Sequence, residues 1–354
     1  MPPPRERRLD PAIFHLPIER MREGYYSDKY FVRARETLLE DRHRPRVTMQ
    51  VFAKTHAYLG GIDEAIAILK LSAERWDELE VTALYDGDEI APWETVLLIE
   101  GPYDAFANLE TLYLGVLARR TRVGTNTRRV VDAARPKQVM FFPARHDHWL
   151  VQTGDGYAAH IAGAIGVSTD AQASWWGSEG VGTVPHALIA AYGGDTVLAS
   201  RKFAEHMDPA IRLITLVDFD NDCVGTSLQV ARALGQRLYG VRLDTSETLV
   251  DKSVIPEMGT FKPTGVNPQL VRNVRAALDR EGFQHVRIVV SGGFTVDKIR
   301  QFEEQGVPVD MYGVGSSLFQ GRFDFTADVV RLEGKPCGKV GRRFRPNPRL
   351  ERVD

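Results

Sequence analysis

The stretch that decides the fold is residues 286–317, which read VRIVVSGGFTVDKIRQFEEQGVPVDMYGVGSS. It contains two apolar runs, and each run leads at once into glycines, in Ser291-Gly292-Gly293 and in Gly313-Val314-Gly315-Ser316. Between the two glycine turns, residues 295–305 place apolar side chains at helical spacing. The pattern therefore predicts two parallel strands joined by one helix, with a glycine turn after each strand.

Glycine turns that follow parallel strands can bind a phosphate group. Glycine has no β-carbon, so it permits the tight turn and lets phosphate oxygens approach the backbone N–H groups. In eight-stranded α/β barrels a site of this kind follows the last two strands. The turn residues that we expect to hold a phosphate are Ser291, Gly292, Gly293, Gly313, Gly315 and Ser316.

The sequence upstream of these turns predicts a parallel sheet. Short apolar runs that end in polar residues recur from Phe142 onward, separated by helix-like stretches such as Val224 to Leu234 and Asn267 to Asp279. About seven such strand-then-helix units predict an irregular or incomplete α/β barrel. In such a barrel the polar residues gather at the carboxyl ends of the strands, where barrel enzymes place their chemistry.

The amino-terminal part predicts a smaller α/β domain with an open sheet. The pattern from Val47 to Leu71 is helical, and two short strand-like runs follow between Val81 and Glu100. We expect this domain to span residues 1–115 and the barrel to span residues 116–324. Residues 325–354 are expected to pack back on the amino-terminal domain.

Composition narrows the class of partner. A formal net charge of −2 gives no bulk attraction to nucleic acid or to an anionic membrane, so a small molecule is the expected partner. No run approaches the ~20 apolar residues of a membrane span, and the first residues lack the apolar core of a signal peptide. The two cysteines, Cys223 and Cys337, cannot form a disulfide framework. These features predict a cytoplasmic protein.

Two residue pairs at strand ends have side chains suited to binding. Arg242 and Asp244 stand two apart and project to one face, where the guanidinium suits a phosphate and the carboxylate accepts from ribose hydroxyls. Phe142 and Arg145 together offer an aromatic face and a guanidinium, which suffice to hold a planar aromatic acid. The alternatives are that Arg242 and Asp244 form an ordinary ion pair and that Phe142 is a core residue.

Acidic residues and one histidine complete the candidate site. Asp218 and Asp220 end another strand-like run, and acidic oxygens near phosphates usually bind magnesium; a solvated acidic loop is the alternative. His186 opens a helix-like run, where the helix dipole disfavours the imidazolium form. A neutral imidazole there can act as a nucleophile toward phosphate, and a capping or structural histidine is the alternative.

Taken in order along the chain, these motifs resemble those of the nicotinate phosphoribosyltransferases, and more distantly those of the nicotinamide phosphoribosyltransferases. Two further segments share in the resemblance, Ser27-Asp28-Lys29-Tyr30 and Ser168-Thr169-Asp170. The resemblance implies that Tyr30 stacks on the pyridine ring from a neighbouring subunit and that Asp170 faces the pyridine substituent. It therefore also implies a homodimer or a higher homo-oligomer.

The resemblance implies an ATP-coupled, ligase-type reaction of NAD salvage. Nicotinate and phosphoribosyl pyrophosphate would give nicotinate mononucleotide and pyrophosphate, with magnesium neutralising the pyrophosphate. Phe142 and Arg145 would hold nicotinate, and Arg242 with Asp244 would hold the phosphoribosyl group. His186 would be the histidine that ATP, the co-substrate, phosphorylates transiently.

Two other hypotheses stay open at this stage. Quinolinate phosphoribosyltransferase shares the two-domain architecture, but its diacid needs a denser cationic pocket than the one arginine, Arg145, that the sequence places at the ring site. A non-catalytic paralogue that binds a nucleotide would keep the phosphate turns but should lose His186 or Asp244, and both are present. The pair Trp175-Trp176 departs from the pattern of the resembled family and predicts a reshaped ring pocket.

Overall fold

The structure is a computed structural model that describes residues 8–354. The α-helices in these residues are α1 Ile18–Arg22, α2 Lys29–Glu40, α3 Ile62–Ser72, α4 Glu110–Ala134, α5 Gln152–Ile161, α6 Asp170–Ala173, α7 His186–Ala191, α8 Thr196–His206, α9 Cys223–Leu234, α10 Pro268–Arg280 and α11 Val296–Glu304. The strands are β1 Arg46–Ala53, β2 Ala57–Tyr58, β3 Glu80–Ala83, β4 Glu89–Ile90, β5 Thr95–Pro102, β6 Gln138–Phe141, β7 Gly166–Val167, β8 Leu213–Leu216, β9 Leu238–Leu243, β10 Arg287–Val290, β11 Met311–Val314, β12 Phe325–Leu332, β13 Lys335–Pro336 and β14 Glu351–Arg352. Across residues 8–354, no helix combines the length and the apolar content that a bilayer crossing requires.

The chain divides into two compact units. Unit 1 comprises the described residues up to Asn126 together with residues 157–162 and 320–354. Unit 2 comprises residues 127–156 and 163–319. Each unit has its own sheet, and every residue of the candidate site except Tyr30 belongs to unit 2.

Unit 1 is built on an antiparallel sheet with the strand order β13-β12-β1-β5-β3-β14. Strand β1 lies inside this sheet, and all of its residues after Arg46 are buried. The helical pattern predicted from Val47 was wrong for this segment, because a strand covered on both faces loses the alternation that distinguishes it from a helix. The predicted helix begins only at Ile62, with α3.

Unit 2 is built on a parallel sheet with the strand order β7-β6-β11-β10-β9-β8. A short irregular segment joins the two edges of this sheet. Val181 donates its N–H to the carbonyl of Val167 in β7 (2.8 Å), and Val184 donates to Ile214 in β8 (2.9 Å). The sheet therefore curls, and the predicted irregular α/β barrel with a smaller amino-terminal domain is confirmed.

The helices of unit 2 cover the barrel with one apolar face each. In α10, Leu270, Val271, Val274 and Leu278 are buried at helical spacing, and the Asn267 side chain caps the first turn. Because all six strands are parallel, their carboxyl ends meet at one rim. The residues that follow β6, β8, β9, β10 and β11 are therefore brought to the same end of the barrel.

Candidate functional site

The centre of the rim is a hydrogen-bonded chain of three side chains from two neighbouring strands. Arg242 Nε donates to Ser291 Oγ (2.7 Å), and Ser291 Oγ donates to Asp244 Oδ1 (2.7 Å). Arg242 Nη2 lies 3.6 Å from Asp244 Oδ2. Parallel pairing of β9 with β10 places Leu243 beside Val290, so the residues that follow the two strands meet. Burial lowers the pKa of Arg242, although Asp244 and Asp218 oppose this shift. The arginine remains charged because its ordinary pKa is far above neutrality.

The first glycine turn has the backbone that its sequence predicts. Gly292 and Gly293 have positive φ angles, 85° and 65°, which residues with a β-carbon rarely adopt. A β-carbon on Gly292 would lie 3.3 Å from Asp244 Oδ1, and one on Gly293 would overlap the carboxylate of Glu247. The turn is therefore restricted to glycine both by its backbone angles and by its neighbours.

The second glycine turn begins later than its sequence predicts. Strand β11 runs through Val314, so Gly313 lies inside the strand and the turn begins at Gly315. A β-carbon on Gly313 would lie 2.7 Å from the ring of Phe142, and one on Gly315 would lie 3.0 Å from the ring of His146. Glycine at position 313 thus leaves room for the aromatic ring. Phosphate binding by Gly313, Gly315 and Ser316 stays a prediction.

Arg242 contacts the aromatic residue of the predicted ring site, and Arg145 lies near Arg242. Arg242 Cζ lies 5.2 Å from the centroid of the Phe142 ring, which is a cation–π distance. The exposed Arg145 is close enough that its charge contributes to the lowered pKa of Arg242. Sequence analysis counted one arginine here and missed the second, because Arg242 reaches Phe142 from β9, three strands away from β6 in the sheet. No local signal in the sequence predicts that contact.

His186 is paired with a carboxylate at the rim. It is the first residue of α7, and its Nε2 lies 3.0 Å from Asp218 Oδ1. This hydrogen bond raises the pKa of His186 above its ordinary value, and Asp244 adds to the effect. This shift runs against the expectation that the helix dipole disfavours the imidazolium form. A helix of six residues has a weak dipole, and a carboxylate in contact outweighs it.

The acidic residues of the rim do not form a metal cluster. Asp218 is paired with His186, Asp220 is exposed, and the Asp222 side chain caps α9. In residues 8–354 there is no group of three or more histidine, cysteine, aspartate or glutamate residues placed to hold a metal ion. The described residues thus give no support to the predicted magnesium cofactor, and no step below is derived through a metal.

The remaining candidate residues lie at the edges of the two units. Asp170 begins α6, is exposed, and accepts a hydrogen bond at Oδ1 from the N–H of Gly180 (2.8 Å). This bond holds the segment that leads to Val181. In unit 1, Tyr30 lies on α2 with 62% of its surface exposed. Its stacking on a substrate of a neighbouring subunit stays a prediction.

Comparison with known proteins gives a consistent family. Residues 28–121 match the family model described as quinolinate phosphoribosyl transferase, N-terminal domain, and residues 123–323 match the model of its C-terminal domain. The chain is 32% identical to nicotinate-nucleotide pyrophosphorylase from Pyrococcus furiosus, whose solved structure superposes with a TM-score of 0.80 over 95% of this chain and 84% of that one.

Two more distant comparisons are weaker, and the first of them carries the name of the other enzyme. A nicotinate phosphoribosyltransferase of Mycobacterium tuberculosis is 28% identical over 96% of this chain and 78% of its own length. The nicotinate-nucleotide pyrophosphorylase of Francisella tularensis is 14% identical with a TM-score of 0.64, over 92% of this chain and 98% of that one, which shows the fold alone.

These matches correct the assignment made from sequence motifs. Family models over residues 28–323 describe quinolinate phosphoribosyl transferases, which the sequence analysis kept only as an alternative. That family does not use ATP as a co-substrate. The predicted nicotinate phosphoribosyltransferase function, the ATP coupling, the ligase-type activity and the phosphohistidine at His186 are therefore wrong. The glycine turns and the Arg242–Asp244 pair could not separate the two enzymes, since the role predicted for them is to bind the phosphoribosyl group, which both enzymes transfer.

Proposed function

The chain belongs to the quinolinate phosphoribosyl transferase family, and on this premise we propose that it transfers the phosphoribosyl group of phosphoribosyl pyrophosphate to quinolinate. The products are nicotinate mononucleotide, pyrophosphate and carbon dioxide. One observation carries the proposal: both family models match in order across residues 28–323. The two arginines at the rim of unit 2, Arg145 and Arg242, support it, because the substrates are a polyanion and a dianion.

The phosphoribosyl end of the substrate binds at the rim between β9, β10 and β11. The turn at Gly292 and Gly293 presents backbone N–H groups to the 5′-phosphate, as do Gly315 and Ser316 after β11. Asp244 accepts hydrogen bonds from the ribose hydroxyls. Its position is already fixed by Ser291, whose hydroxyl links it to Arg242. The site is thus ordered before the substrate arrives, which reduces the cost of binding.

Each of the two arginines is assigned to one carboxylate of the quinolinate ring. In quinolinate the 2-carboxylate is adjacent to the ring nitrogen, and that nitrogen bonds to ribose C1. Arg242 lies at this junction, since it contacts Ser291 on the phosphoribosyl side and Phe142 on the ring side. Arg145 then takes the 3-carboxylate, and Phe142 packs against the ring. A monoacid would leave one of these two guanidinium groups without a carboxylate from the substrate.

The chemistry needs alignment and charge stabilisation more than a protein nucleophile. The bond from C1 to pyrophosphate breaks with its electron pair, and the ring nitrogen donates a pair to the cationic C1. The new pyridinium nitrogen stabilises the electron pair left at C2 when the 2-carboxylate departs as carbon dioxide, and a proton then joins C2. The hydrogen bond from Asp218 raises the pKa of His186 and so favours its imidazolium form, which would add a positive charge where the pyrophosphate charge develops.

A turnover assay with matched acids tests the proposal. Purified protein is incubated with phosphoribosyl pyrophosphate and either quinolinate or nicotinate, with and without ATP, and nicotinate mononucleotide and pyrophosphate are measured. We expect turnover with quinolinate and no stimulation by ATP. Turnover confined to nicotinate would refute the proposed substrate. No turnover with either acid, together with calorimetric binding of phosphoribosyl pyrophosphate, would instead indicate a non-catalytic protein.

A further inference from the structure

Unit 2 holds a cavity of about 510 Å³. It lies outside the rim cluster, which is the hydrogen-bonded chain of Arg242, Ser291 and Asp244. Its walls are formed by the loop that follows β9 and by residues of α10 and α11. The residues of its lining that bear on its chemistry are Phe261, Lys262, Gln269, Arg272, Lys298 and Gln301. Its volume falls within the range of ~300–1,000 Å³ that is usual for small-molecule sites.

Three cations line the cavity without an acidic partner. Within residues 8–354, no carboxylate lies within 4.0 Å of the side-chain nitrogens of Lys262, Arg272 or Lys298. Arg272 Nη2 donates to the carbonyl of Gln305 (2.9 Å), and Lys298 Nζ donates to the carbonyl of Gly292 (3.3 Å). Burial lowers the pKa of Lys298, the charge of Lys262 adds to this shift, and the carboxylate of Glu247 opposes it. Cations that crowd one another in a half-buried space favour a bound anion.

Neither of the two carboxylates in the lining forms a direct ion pair with these cations, and Glu247 acts on Lys298 only at longer range. Asp297 pairs with Arg300 at 3.6 Å. Glu247 lies against Gly293, where its carboxylate would overlap a β-carbon. Glu247 is therefore placed at the border between the cavity and the glycine turn.

The cavity adjoins the turn that is proposed to bind the 5′-phosphate. Lys298 lines the cavity and contacts Gly292, while Glu247 lines it and contacts Gly293. A ligand whose 5′-phosphate occupies the turn, and which continues through a second phosphate, would enter this space. The exposed side chain of Glu247 must rotate to let that second phosphate pass.

We propose that the cavity binds the nucleoside 5′-phosphate half of a dinucleotide whose other half is the mononucleotide product. The inference rests on the proposed function, which places the product at the rim. The second phosphate is paired with Lys262, Arg272 and Lys298. The base packs on Phe261, and the amides of Gln269 and Gln301 supply hydrogen bonds to it. Such a ligand inhibits the enzyme in competition with phosphoribosyl pyrophosphate.

Calorimetry with two probes tests this inference. Nicotinate mononucleotide and nicotinate adenine dinucleotide are titrated into the wild-type protein and into Lys262→Ala, Arg272→Ala and Glu247→Gln. We expect the dinucleotide to bind at least about tenfold more tightly than the mononucleotide, since it gains charge-assisted hydrogen bonds. The lysine and arginine variants should lose this preference, and Glu247→Gln should increase it. Arg280→Ala, an exposed change at the far end of α10, is the matched control.

Turnover of quinolinate in the same preparations separates the two proposals. Lys262→Ala and Arg272→Ala should keep the wild-type kcat and the wild-type KM for both substrates. Equal affinity for the two probes in the wild-type protein would overturn the inference and leave the proposed function intact. A preference that neither variant reduces would also overturn it, because the second half would then bind elsewhere. A preference lost in both variants, in a protein without turnover, would support the cavity and refute the function.

Discussion

Ser291→Ala tests the rim cluster most directly. The Ser291 hydroxyl is both the acceptor for Arg242 and the donor to Asp244, and the residue is only 3% exposed. Alanine removes two charge-assisted hydrogen bonds of roughly 1.5–3 kcal/mol each. Part of this loss is recovered, because Arg242 and Asp244 can move closer than their present 3.6 Å separation. Each side chain is also about a fifth exposed, so water can replace some of the lost hydrogen bonding. We expect a net loss of about 2–3 kcal/mol, which corresponds to a fall of roughly 30- to 150-fold in kcat/KM.

The assay is steady-state kcat/KM for phosphoribosyl pyrophosphate at saturating quinolinate, with urea unfolding of the same samples. Ser253→Ala is a matched control, because the Ser253 hydroxyl also donates to a carboxylate, Asp251 Oδ1, at 2.7 Å. It should lower the free energy of unfolding and leave kcat/KM near the wild-type value. If Ser291→Ala retains kcat/KM within about threefold of wild type, the cluster does not position the phosphoribosyl group.

Three further predictions follow from the rim. The raised pKa of His186 means that its positive charge is lost as pH rises through that pKa, so kcat/KM should fall on the alkaline side of a pH profile. Asp218→Asn should move this fall to lower pH, whereas an unmoved profile would remove His186 from the role. Arg145→Ala should raise the KM for quinolinate about 10- to 100-fold and spare that for phosphoribosyl pyrophosphate, and equal effects on both would contradict the ring pocket. Gly313→Ala should cost about 1–3 kcal/mol in urea unfolding because its methyl group meets Phe142, and an unchanged midpoint would contradict that contact.

The glycine turns were recognisable in the sequence because their causes are local. A strand, a turn with positive φ and a helix follow one another within residues 286–305, so periodicity and glycine suffice to predict them. Local patterns gave a wrong prediction at β1, where burial on both faces removes the alternation of apolar and polar residues. They also placed the turn at Gly313 too early, because β11 continues for two residues more than expected. Strand ends depend on neighbouring strands, and these are distant in sequence.

The sequence by itself determined the alternation of strands and helices, the glycine turns and the polar residues at strand ends, because each depends on residues close together in the chain. Only the tertiary structure decided which of those polar residues meet. Curling of the parallel sheet brings Arg242 to Phe142 across three strand positions. It also brings His186 to Asp218, which raises the pKa of the imidazole where the helix dipole alone would lower it. The net charge of a ring site depends on side chains from elements that are far apart in the sequence. Local motifs could therefore predict the glycine turns and the polar strand ends, but they could not predict that a second arginine meets the ring site.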